Sequence, residues 1–74
     1  MIMNTQAHVE ALLERTYSLL VDDYGNLKPR TNTEMADVAN HLQQLASLAL
    51  TPENRLKFEA LHTLFEIRNE ELET

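Results

Sequence analysis

The chain has 74 residues, no cysteine, one glycine and two prolines, and its twelve acids against six bases give a formal net charge of −6. This excludes disulfides and thiolate metal centres, leaves few turn formers for a many-stranded β fold, and sets the chain against nucleic-acid phosphates and anionic membranes. It is short enough for one domain only, and a domain of this size removes only about 60% of its unfolded surface from water, so a solitary core is marginal.

The opening Met1-Ile2-Met3-Asn4 has no basic residue and no long apolar run, so no secretory signal is expected, and Met3 is an alternative start. No apolar run is long enough to cross a membrane, and a cytoplasmic protein is expected. Asn4 or Thr5 can cap a first helix over about 5–24. Val9, Leu12, Leu13, Leu20 and Tyr24 form its apolar face, with Tyr17 and Leu19 at the edges and Glu10, Glu14, Ser18 and Asp22 opposite. Gly25, the only glycine, stands where a left-handed residue would end that helix.

Residues 25–31 read as the loop. Gly25-Asn26 supplies a turn, and Pro29 blocks helix and pushes Lys28 toward extended backbone. Lys28 and Arg30 make this the one basic spot, either a contact for an acidic or phosphate-bearing partner or a solvated linker offsetting the end of the first helix.

A second helix over about 32–50 opens at the capping box Thr31-x-x-Glu34, with Thr33 as an alternative cap. Met35, Val38, Leu42, Leu45 and Ala49 then follow a 3-4-3-4 spacing, the pattern of a tight helix–helix seam. With almost no linker before Pro52, a sharp corner or helical hairpin is expected, bringing Leu50 close to Leu56.

Thr51-Pro52-Glu53 opens a third helix over about 52–72, with a favoured cap, a proline at the first helical position and an acid in the first turn. Leu56, Phe58, Ala60, Leu61, Leu64, Phe65, Ile67 and Leu72 sweep roughly 200° of its surface at about 100° per residue. One neighbouring helix covers about half of that width, so two partners are expected. The acid-rich end of this helix opposes its dipole, and fraying of the last turn is expected.

Little here points to catalysis. There is no glycine-rich phosphate loop and no His-Glu-x-x-His, and a Ser/His/Asp set exists by residue type alone. Glu59-x-x-His62, with Glu66 one turn on, has the spacing of a carboxylate-bridged dimetal bundle, and a homodimer would supply two such motifs. His62 falls on the polar flank of its helix, however, so a solvated side chain paired with Glu66 is the expectation, with no metal or other cofactor. Asp37-x-x-x-His41 is a similar signal, and His8 has no evident partner. Asn54, Arg55 and Lys57 would be the DNA contacts of a recognition helix, but the short turn before them and the net charge oppose that reading.

The expectation is an all-α domain: a helical hairpin plus an N-terminal helix, completing a helical bundle by dimerisation. The dimer interface is expected along Phe58, Leu61, Phe65 and Leu72, with Tyr17 and Tyr24 as aromatic anchors for a partner. The expected function is that of a small acidic, non-enzymatic interaction or regulatory module, homodimeric or bound to a protein with a basic surface. The alternative is a regulator acting at nucleic acid, by binding it or by mimicking it.

Overall fold

The computed structural model describes residues 5–73, so the expected Asn4 cap lies outside the described residues. Three helices follow one another: α1 (Thr5–Leu20), α2 (Asn32–Ala46) and α3 (Pro52–Glu73). Among the described residues there is no strand, only an isolated antiparallel bridge between Val21 and Leu27. Gln6 and Asn54 join the starts of α1 and α3, while Arg68, near the end of α3, holds the loop that follows α1. The two helices are therefore parallel, and α2 returns antiparallel between their ends. All three pack on one another in a body 46 × 22 × 18 Å.

Each helix contributes one apolar stripe to a shared core. Val9, Leu12, Leu13 and Leu20 come from α1, Val38, Leu42 and Leu45 from α2, and Leu61 from α3. Phe58, Leu64 and Phe65 close the core at the α3 edges. Thr16 is fully buried within α1, and its hydroxyl donates to the Leu12 carbonyl at 2.7 Å, so the polar atom is satisfied inside its own helix.

The first helix ends four residues earlier than expected. Val21 makes a last helical bond to the Tyr17 carbonyl at 2.8 Å, then pairs with Leu27. The Asp22 carboxylate takes over here. Its Oδ1 accepts from the Tyr24 amide at 2.8 Å and the Asn26 amide at 2.9 Å, and the Asp22 amide donates to the Asn26 carbonyl at 2.9 Å. A short acid that bonds the backbone just ahead of it competes with helix propagation. Gly25 is left-handed as expected, at φ +82°, but at the tip of this turn rather than as a helix end. Tyr24 is consequently carried off the helix face and is 89% exposed. The Lys28 ammonium donates to the Ser18 carbonyl at 2.8 Å, placing a cation on the terminal carbonyls of α1.

The capping box forms with one change. The Thr31 hydroxyl accepts from the Glu34 amide at 3.1 Å, while the Glu34 carboxylate accepts from the Arg30 amide and the Thr31 hydroxyl, both at 3.1 Å. α2 stops at Ala46, short of the expected Leu50. The Ser47 hydroxyl satisfies the Gln44 carbonyl at 2.8 Å, and Leu48 and Leu50 turn onto the core instead of continuing the helix. Pro52 also holds Thr51 out of helical backbone. A five-residue connection, 47–51, thus replaces the expected sharp corner, and Ala49 drops out of the seam. Leu50 packs on the core, whereas Leu56 is largely exposed.

α3 begins as its sequence dictates, with the Thr51 hydroxyl accepting from the Asn54 amide at 3.2 Å. It runs on to Glu73. Near its end the Arg68 guanidinium donates from Nε to the Pro29 carbonyl at 2.6 Å and from Nη2 to the Leu27 carbonyl at 3.0 Å, with Nη1 on the Glu71 carboxylate at 2.8 Å. The 25–31 loop is therefore fastened to α3 through its own backbone carbonyls.

Candidate interaction face

The wide apolar arc of α3 divides unevenly between core and solvent. Leu61 faces inward and is 5% exposed, with Phe58 and Phe65 half-buried against the core and Leu64 half-buried beside α1. The remainder of the arc lies outside. Leu56 is 67% exposed, Ile67 is 44% exposed, and Ala60 between them is exposed as well. At about 100° per residue, Leu56, Ala60, Thr63 and Ile67 fall within roughly 60° of one another. Their 4-3-4 spacing is that of a helix–helix seam, here with no helix among the described residues on it.

The seam borders an open groove of about 710 Å³ between α1 and α3. Leu13 and Leu61 lie at its base, Tyr17 and Glu14 belong to the α1 wall, and Ala60, Leu64 and Lys57 to the α3 wall. Tyr17, 53% exposed, extends the apolar surface across to α1. The expected interface residues are therefore placed in different ways. Leu61 belongs to the core of the single chain and offers no surface to a second copy. Phe58 and Phe65 keep part of theirs, Leu72 is exposed near the chain end, and Tyr17 lies at the groove. Tyr24 stands apart from all of these, on the turn after α1.

Acids flank the seam. Glu10 and Glu14 rise from α1, and Glu59, Glu66 and Glu70 lie along the far side of α3, with Lys57 the cation between. Among the described residues Glu10, Glu14, Glu59 and Glu70 have no ion-pair partner. Glu66 accepts a 2.7 Å contact from His62 Nδ1, and the His62 ring leans against Phe58 and Phe65 with centroids 6.1 and 6.4 Å away. Glu59 takes no part in that pair, and no cluster of three or more His, Asp or Glu among the described residues is arranged to hold a metal ion.

A second, shallower groove between α1 and α2 is bordered by Arg15, Asp37 and His41. His41 Nδ1 is buried without a hydrogen-bond partner, and Asp37 does not reach it. His8 is exposed on α1. The residues of the recognition-helix reading also part company. Asn54 is buried, its amide donating to Gln6 Oε1 at 2.9 Å, which leaves Arg55 and Lys57 as exposed cations. The Lys28–Arg30 spot is engaged locally, through the Lys28 bond to α1 and the Arg30 amide bond to Glu34.

Two carboxyls titrate below their ordinary range. The Asn26 amide holds the Asp22 carboxyl down, helped by the Tyr24 amide and the nearby Lys28 and Arg30 charges. The Arg30 amide and Thr31 hydroxyl do the same for Glu34. Both groups are structural, one shaping the turn after α1 and the other capping α2.

Comparison with protein-family models, with curated proteins and with solved structures finds no match for this chain. No helix among the described residues is long and apolar enough to cross a membrane. The width of the α3 arc is legible in the sequence, but the half that remains outside is not directly so. That half follows from the 4-3-4 spacing of Leu56, Ala60, Thr63 and Ile67, once Leu61 is assigned to the core.

Proposed function

We propose that this chain is a small, acidic, non-enzymatic protein-interaction module whose docking face is the seam and groove along α1 and α3. The observation that supports this reading most is the Leu56–Ala60–Ile67 seam, which remains in water beside Tyr17 although the core is complete without it. Contiguous exposed apolar surface rimmed by charge is characteristic of interaction sites, and a two-helix groove suits an amphipathic helix. The test is site-specific photocrosslinking in the native cell. A crosslinking residue at Ala60 should trap a protein, whereas one at Gln43, on the exposed side of α2, should not. Absence of any adduct at position 60, or equal adducts at both positions, would remove the support for this face.

A further inference from the structure

We infer that the occupant of the α1/α3 face is a basic amphipathic helix from another protein, not a second copy of this chain. The inference rests on the interaction-module reading and adds the identity of the partner's surface. The seam from Leu56 to Ile67 is twelve residues long, about 16 Å at about 1.5 Å per step, and so accommodates about three turns of a partner helix. Ala60 and Thr63 occupy its middle and are small, so a helix axis can approach closely there, while Leu56 and Ile67 offer larger side chains at the two ends.

Charge selects the occupant. A helix on this seam has one flank beside Glu10 and Glu14 of α1 and the other beside Glu59, Glu66 and Glu70 of α3. Lysine or arginine on both flanks would meet carboxylates that otherwise face water unpaired, or paired only with His62 in the case of Glu66. Among the described residues Lys57 is the one cation lining the groove, so the partner tolerates a single acid near the α1–α3 boundary.

A second copy meets the opposite condition. Two α3 helices paired antiparallel about the middle of the seam would match Leu56 with Ile67, but would also bring Glu59 of each copy beside Glu66 of the other. Paired in parallel, they would bring Glu66 beside Glu71. Each copy further carries a formal charge of −6. Like charges at flanking positions are a recognised means of rejecting a pairing.

Fluorescence anisotropy with the full chain and three synthetic peptides of about 14 residues tests this. One peptide has an apolar 4-3-4-3 stripe with lysine flanks, the second has the same stripe with glutamate flanks, and the third has the lysine composition in scrambled order. The lysine-flanked helix should bind, and more weakly as salt is raised. Ala60→Arg, which changes an exposed helical position and leaves the fold intact by circular dichroism, should weaken it about tenfold or more. Glu10→Gln, Glu14→Gln and Glu59→Gln should each weaken it about twofold to fivefold. Equal binding of the glutamate-flanked or scrambled peptide, no binding of any peptide, or indifference to Ala60→Arg would overturn the inference. So would sedimentation of the chain as a dimer that Ala60→Arg dissociates, because the occupant would then be a second copy. A partner trapped at position 60 in cells without binding of the lysine-flanked helix would contradict this choice of occupant and leave the interaction-module reading standing; no adduct in cells would count against both.

Discussion

Replacing Arg68 by methionine should detach the loop between α1 and α2 from α3. Methionine keeps most of the stem packing and removes all of the donors. Two of those donors serve the carbonyls of Pro29 and Leu27, at 2.6 and 3.0 Å. A hydrogen bond to a charged group contributes about 1.5–3 kcal/mol. The two share one side chain and the freed carbonyls can regain some water, so a combined loss of about 2–4 kcal/mol is expected. A chain of this length has a total stability of about 4–11 kcal/mol, which makes the loss a large share of it. Urea unfolding followed by far-ultraviolet circular dichroism should show a lower midpoint with an unchanged slope. Exchange of the Lys28 amide, which donates to the Leu20 carbonyl at 2.8 Å, should accelerate more than exchange in the middle of α2. Arg68→Lys should be nearly as damaging, since one ammonium cannot reproduce the guanidinium fork. A loss below about 0.5 kcal/mol with Lys28 exchange unchanged would refute the account of Arg68 as the loop's anchor.

Leu61→Ala should cost about 2–5 kcal/mol, because Leu61 is the fully inward residue of α3, and half-buried Phe65→Ala should cost less, as read from urea midpoints. Gly25→Ala should cost about 1–2 kcal/mol by calorimetry from its left-handed backbone alone, because an added Cβ meets no atom within 4 Å. The Asp22 and Glu34 carboxyls are held below their ordinary values of 3.8 and 4.5 in the fold, so each stabilises it above those values, and that contribution fades as pH falls through the lowered folded-state values. Thermal melts should therefore show an acid limb below about pH 4.5 that Glu34→Gln makes shallower; an unaltered limb would exclude Glu34 as a contributor. Purified protein should carry no stoichiometric transition metal by elemental analysis, and His62→Ala should leave the melting temperature nearly unchanged.

The helices were legible because their signals are local. Thr51-Pro52 and Thr31-x-x-Glu34 cap the chain where the sequence places them, and Met35, Val38, Leu42 and Leu45 bury the stripe that their spacing draws. The early ends of α1 and α2 were not legible in the same way. Each is decided by a side chain bonding the backbone, Asp22 in one case and Ser47 in the other, at a point where apolar periodicity still favoured helix. The role of Arg68 is not legible in the sequence, because its partners are carbonyls about forty residues away along the chain and sequence spacing carries no trace of them. The candidate face was half legible. The α3 arc is wider than one neighbour covers, as its spacing implies, but Leu61 belongs to the core and not to an interface. With helices on both sides of Leu61, the inward direction runs through the centre of the arc, and the surplus appears at the Leu56–Ile67 edge.

Amide correlation spectra of the labelled chain, titrated with the lysine-flanked amphipathic peptide, locate the bound helix on the protein surface. Saturable shifts concentrated on Leu56, Ala60, Thr63, Leu64 and Ile67 of α3 and on positions 10–18 of α1, lost in Ala60→Arg, are expected. Shifts centred on Leu72 and the end of α3, on the Tyr24 turn, on α2, or nowhere at all would contradict the assignment of this face.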